Sequence, residues 1–322
     1  MDSEAEVSLS QPSLQRKRKG PFRGPSRALK YKKLRQVQPR KISVDIPSSL
    51  GAAVGEHALQ FIGECSDWVK EMCPLNVEKW SDMPEDVIDR LYGKIKAKFA
   101  LGEGAHITDA LKTQCSSLYR HWRERLKSDH FSKCKSLKEA EHACPQRIDL
   151  NQWKWLVYNY WSTRKQMTRS EKNRANALSK KIQSARGAKS TARIIYELVE
   201  EEKDSSVEAE NGDDSEANTS TSTTVTQTEA DNDPMYLKLW RKTKQHKDGS
   251  FDDEGEAKFN EFKKLHEKEI QENGIDNLSI DEAYMKVLGH CSGYARVLVK
   301  DIQWWTRVGR KVKQNWRLRF NN

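Results

Sequence analysis

A chain of 322 residues with 36% apolar and 32% charged residues and a mean hydropathy of −0.90 holds too little apolar material for one large compact domain. No apolar run approaches the ~20 residues that span a bilayer, so a soluble chain of modest helical modules separated by solvated segments is expected, with no membrane partner. Six scattered cysteines without a CxxC pair point to reduced thiols rather than a disulfide framework, and the net charge of +10 asks for a polyanionic partner.

The chain opens on residues 1–50, a basic arm expected to be disordered. Twelve Lys or Arg and no acid lie between Gln15 and Lys41, with too little apolar surface to repay ordering. The start, MDSEAEVSLS, lacks the basic and apolar regions of a secretory signal. Arg16, Lys17, Arg18 and Lys19 form a cluster suited to nuclear import, to phosphate contact or to both. The alternation Ile42-Ser43-Val44-Asp45-Ile46 fits a short strand whose partner is not evident.

A helical module is expected over 51–130. The spacing of Ala58, Phe61, Ile62, Cys65, Trp68, Val69 and Met72 predicts one amphipathic helix that Pro74 ends. A second follows Trp80, with Asp82 and Glu85 in capping-box spacing and an apolar stripe of Val87, Ile88, Leu91, Ile95 and Phe99. A third, starting at Thr108, carries Leu111, Cys115, Leu118, Trp122 and Leu126 on one face and Arg120, Arg123, Arg125 and Lys127 on another.

Residues 146–199 read as a Trp-rich basic helical region. Asp149 opens a helix that aligns Trp153, Leu156, Val157, Tyr160 and Trp161, so Trp153 and Trp161, like Trp68 and Trp122, suit a core better than a stacking platform. A basic helix is predicted from Thr168 to Ser184, with Thr168 and Glu171 as its capping box, and a short helix from Thr191 to Glu201. Residues 200–233 hold twelve acids against one base among Ser and Thr, the composition of a linker. A C-terminal helical region, 234–296, follows with Tyr236, Leu237, Leu239 and Trp240, a Lys247–Ser250 turn, and a helix whose Phe259, Phe262, Leu265 and Ile270 suit pairing with a second copy. A basic-aromatic tail, 297–322, closes the chain.

The stretch from Arg147 to Glu197 concentrates twelve Lys or Arg against three acids. Cations presented at helical spacing meet phosphates, which makes double-stranded DNA the expected partner. The candidate contacts are Arg164, Lys165, Arg169, Lys172, Arg174, Lys180, Lys181, Arg186, Lys189 and Arg193. Asn173 and Asn176 are candidates for adenine edges, and Gly187, Lys189 and Ser190 for a phosphate held at a helix start. His121, His130, Cys134, His142 and Cys144 lack the paired spacing of a structural zinc site, so no metal and no cofactor are expected. No Cys/His or Ser/His pairing and no strands to hold three carboxylates around Mg²⁺ are evident, so no catalytic residue is assigned.

Ordered motif blocks resemble the plant transposase family named after the Ptta and En/Spm elements, of the CACTA class. They are Gly24-Pro25-Ser26-Arg27 with Leu29-Lys30, Pro74-Leu75-Asn76-Val77 with Trp80 and Pro84-Glu85, and Leu118-Tyr119-Arg120-His121-Trp122-Arg123. The series continues through Trp153, Leu156 and Tyr160-Trp161, then Ser170, Lys172-Asn173-Arg174 and Asn176, and Gly187, Lys189-Ser190 and Ala192-Arg193. It closes on His246–Ser250, Val287-Leu288-Gly289 and Ser292-Gly293-Tyr294. Ala177 stands where the family pattern favours a basic residue, and the stretch after Arg296 departs from its glycine-rich ending. The resemblance implies a transposon-derived nuclear protein that binds DNA, such as element ends, beside a separate catalytic transposase, or that serves as a domesticated regulator. The expectation is therefore a mainly α, non-enzymatic DNA-binding protein. A catalytic recombinase with a three-carboxylate (DDE-type) site and a non-catalytic protein-interaction scaffold are the alternatives.

Overall fold

The computed structural model describes residues 40–187, 189–210 and 233–289, with the backbone alone over 204–210. The import cluster Arg16–Lys19, the Gly24–Lys30 and Ser292–Tyr294 blocks, the tail 297–322 and most of the acidic segment lie outside the described residues. The protein is mainly helical. Its described residues form two compact units, 40–44 with Glu56–Ser179, and Asp45–Gly55 with 180–210 and 233–289. The boundary at Ser179 therefore falls inside the basic stretch 146–199, which divides between the two.

In the first unit β1 (Ile42–Ser43) finds its partner in β2 (Phe99–Ala100), parallel and in register Ile42 to Phe99. Helices α1 (Ala58–Met72), α2 (Glu85–Lys98) and α3 (Ala105–Asp129) enclose the core. Phe61, Cys65, Trp68 and Val69 of the predicted α1 stripe are buried, and Phe61 and Trp68 both meet Phe99 edge-on. The Asp82–Glu85 capping box does not form. Trp80–Asp82 makes a 3₁₀ turn, the Asp82 carboxylate accepts from Ser81 Oγ, and Pro84 occupies the N-cap of α2.

Helix α3 starts three residues earlier than its spacing predicts and buries a rotated face: Tyr119 and Arg123 go inside, while Leu118 and Trp122 stay half-exposed. After the short α4 (Leu137–His142), α5 (Leu150–Lys154) begins at Asp149, whose carboxylate accepts from the Gln152 amide as expected. It widens into a π-helical segment, Trp155–Trp161. Trp153, Leu156, Val157 and Trp161 are buried, and Trp153 Nε1 donates to Ala140 O at 2.8 Å, so the indole's polar edge is satisfied as the ring is covered.

Helix α6 (Arg164–Leu178) ends this unit. It opens four residues before Thr168 and closes six before Ser184, so Thr168 and Glu171 are interior residues and not a cap. The break that decides its start is at Ser162-Thr163, where the Thr163 hydroxyl turns back to Tyr160 O at 2.8 Å.

The second unit comprises α7 (Thr191–Glu210), α8 (Met235–Lys244), α9 (Asp253–Asn273) and α10 (Ile280–Leu288). Helix α7 runs nine residues past the predicted Glu201, into the acidic segment expected to be linker. The core gathers Ile195, Leu198, Tyr236, Leu237, Trp240, Phe262 and Tyr284, with Leu50 and Val54 contributed by the 45–55 segment. Phe259 and Phe262 are buried, Phe262 against Trp240 and Tyr284 and Phe259 against Phe251, so the stripe that suited a second copy is largely covered within its own unit. Tyr236 Oη and His266 Nδ1 converge on Asp276 Oδ2, each at 2.6 Å, and tie α8 and α9 to the loop before α10. Ser279 and Glu282 complete a capping box at α10.

Candidate nucleic-acid interface

Helix α6 buries none of its fifteen residues. A soluble helix usually earns its place by packing an apolar stripe; only Gln166 and Met167 of α6 are even half-buried. At 3.6 residues per turn, Lys165, Arg169, Lys172, Asn173 and Asn176 fall within an arc of about 100°, roughly opposite Met167. All five are exposed. Arg164 and Arg174 lie off this arc, on the flank that carries Glu171.

The arc is held out by contacts on the other side of the helix and at its start. Lys127 Nζ of α3 donates to Ser170 Oγ at 3.3 Å, and burial pulls the Lys127 ammonium below its ordinary value. Lys165 Nζ donates to Glu78 Oε1 at 2.9 Å, which holds the Glu78 carboxyl below the usual carboxylate range. Arg120, seven residues before Lys127, shares its face of α3 within about 20° and is exposed. Lys127 is thus brought to α6, with Arg120 about two turns away on the same face of α3.

Arg123 is not part of that face. It is 5% exposed, and its Nη1 donates to Val77 O at 2.8 Å and Glu78 O at 3.3 Å. The guanidinium lies 3.6 Å from the centroid of the Tyr160 ring, which itself stacks on Trp155. Its Nε and Nη2 have no hydrogen-bond partner among the described residues. Arg123 therefore anchors the Val77-Glu78 segment, and through Glu78 the start of α6, against the π-helical segment.

Of the predicted DNA contacts, Arg164, Lys165, Arg169, Lys172, Asn173, Arg174 and Asn176 belong to this unit; Lys180, Lys181, Arg186, Lys189, Ser190 and Arg193 belong to the other. The second set is largely engaged within its own unit. Lys181 is paired with Glu254, which pushes the Lys181 ammonium up. Lys189 and Arg193 both meet Glu197, at 2.7 and 2.8 Å; burial pushes that carboxyl up, but the two cations outweigh it and leave the group below its ordinary value. Arg186 Nη1 donates to Thr191 Oγ1, and the Ser190 hydroxyl accepts from the Arg193 amide at 3.2 Å to cap α7. Lys189 and Ser190 are thus spent on the start of α7 rather than presented to a phosphate. Lys180 is exposed with no carboxylate in ion-pair reach among the described residues, as are Arg164, Arg169, Lys172 and Arg174.

Among the described residues no group of three His, Cys, Asp or Glu is placed to hold a metal ion, and no helix is long and apolar enough to cross a membrane. No family model, curated protein or solved structure matches the chain.

Proposed function

We propose that the protein binds double-stranded DNA, with α6 as the element that meets the duplex. The observation that carries this is a helix with no buried residue, whose outward arc holds Lys165, Arg169 and Lys172 and no acid. Such an arc suits the major groove, whose width admits an α-helix, with cations meeting phosphates on its walls. Arg120 and Lys127 extend the positive surface to α3, and the twelve bases between Gln15 and Lys41 add sequence-independent attraction. The resemblance of the ordered motif blocks to the Ptta and En/Spm transposases supports a nuclear, transposon-derived accessory role in which cleavage is left to a separate catalytic protein. The test is retardation of a random-sequence duplex by the full chain and by its Arg169→Glu, Lys172→Glu double variant. Binding by the first and loss by the second is expected. A wild-type chain that leaves the duplex unretarded, or a variant that binds as well, overturns the proposal.

A further inference from the structure

Two asparagines on the cationic arc have no evident structural task. Asn173 and Asn176 are exposed, and the side chain of neither makes a hydrogen bond to a described residue; the Ser179 hydroxyl donates to the backbone carbonyl of Asn176. A residue retained to stabilise the helix there would be Ala, Glu or Lys, because asparagine competes with the helical backbone for hydrogen bonds. The two lie three residues apart, about 4.5 Å along the axis and about 60° around it. Neighbouring base pairs are stacked about 3.4 Å apart, so two such side chains match two adjacent steps.

We infer that Asn173 and Asn176 are the sequence-reading residues of α6, each holding the major-groove edge of an adenine in adjacent A·T pairs. This inference rests on the reading of α6 as a DNA-binding helix. The chemistry is specific to the residue type. A carboxamide has an acceptor and a donor side by side, and adenine alone among the bases offers the complementary N6 donor and N7 acceptor in that groove. Arg169 lies between the two asparagines in angle, and Lys165 and Lys172 border them on one side, so phosphate contacts on that flank fix how far the carboxamides enter. Ala177, exposed and one turn beyond Asn173, offers a methyl group against the C5-methyl of the thymine in the same pair. Its departure from the basic residue of the family pattern thereby becomes part of the same readout.

The experiment is selection of bound duplexes from a random DNA pool by the full chain, beside the Asn173→Ala, Asn176→Ala double variant. Alanine strengthens an exposed helix, so the variant folds, and circular dichroism verifies it. Expected is a wild-type preference for two adjacent adenines on one strand, of roughly 5- to 150-fold at each position. The variant loses that preference but retains affinity for non-selected duplex within about twofold. A wild-type chain that binds duplex without sequence preference overturns this inference and leaves the DNA-binding reading standing. So does a selected sequence that persists unchanged in the variant. A wild-type chain that retains no duplex overturns both.

Discussion

Replacing Arg169 and Lys172 together by glutamine removes two positive charges from the α6 arc while keeping residues of good helix propensity. Both positions are exposed and free of described carboxylates, so little of the fold depends on them. Five cations of the first unit can meet the duplex once Lys165 exchanges Glu78 for a phosphate: Lys165, Arg169 and Lys172 on α6, Arg120 and Lys127 on α3. Each phosphate neutralised contributes about −0.9 to the slope of log affinity against log salt, so the five supply about −4.5 and the double variant loses about 1.8 of it. Between about 50 and 200 mM salt, a five-cation surface weakens roughly 500-fold and a three-cation surface roughly 40-fold. The difference in slope holds whatever the basic arm and the second unit add. Fluorescence anisotropy of a labelled duplex titrated with the full chain across a salt series measures it. Arg174 lies about 140° around the helix from Arg169, so Arg174→Gln should leave the slope within about 0.3 of wild type. A double variant with an unchanged slope refutes the reasoning. So does an Arg174→Gln variant whose slope falls by half as much as the double variant's, because net charge and not the arc would then govern affinity.

Glu78→Gln should tighten binding roughly two- to fivefold at low salt by releasing Lys165 from its carboxylate, read by the same anisotropy assay; weaker binding would show that Glu78 is needed to aim the lysine. Arg123→Ala removes two charge-assisted bonds to carbonyls and the contact with Tyr160, and should cost about 2–4 kcal/mol in urea unfolding, a cost under about 1 kcal/mol contradicting its role as an anchor. Asp281, in the first turn of α10, is pushed up to about 6, mainly by burial and then by the charge of Glu282. Its carboxyl binds its proton more tightly folded than unfolded, so its contribution is most favourable below about pH 4 and is lost as the pH rises through about 6. Asp281→Asn should therefore raise the thermal midpoint at pH 7 and not at pH 4, and an equal rise at both would remove the argument.

The apolar stripes were legible where they were long. Phe61, Cys65, Trp68 and Val69 declare α1, and Trp153, Leu156, Val157 and Trp161 declare the buried face of α5 and its π-helical continuation, because only burial repays aromatic residues at that spacing. Asp149 was legible as a cap because it stands directly before that stripe. Thr168 and Glu171 share the same local pattern without capping anything, since the chain already enters the helix at Arg164 once Thr163 turns back on Tyr160. Along the sequence Arg123 groups with the basic face of Arg120, Arg125 and Lys127. The series Cys115, Tyr119, Arg123, Leu126, at helical intervals, was the signal that it continues a buried stripe. Nothing local marks the passage of Asp45–Gly55 into the second unit, where Leu50 and Val54 fill a core built by residues more than 130 positions later. The acids of the segment after Glu200 did not prevent α7 from continuing to Glu210, because Glu is a good helix former and two of these acids are paired, Glu201 with Lys242 and Glu202 with Lys238.

Charge counted along the chain overstates charge available in space. The twelve bases between Arg147 and Glu197 look like one continuous cradle, yet the fold separates them by what lies within a few ångströms of each. A carboxylate in ion-pair contact competes for the same ammonium that a phosphate would take, and the second unit supplies such carboxylates at Lys181, Lys189 and Arg193. There the basic segment acts as an internal fastening. The Gln183 backbone amide donates to Asp252 Oδ2 and the Ala185 amide to Thr243 O, so the segment leading into α7 is bound to the ends of α8 and α9. On the first unit, among the described residues, only Lys165 of the α6 cations is paired, and Arg169 and Lys172 stand on a helix that buries no residue. Side chains that stabilise the unit and side chains that await a partner are therefore distinguished by their neighbours rather than by their type, and it is the unneutralised arc of α6 that the DNA-binding reading depends on.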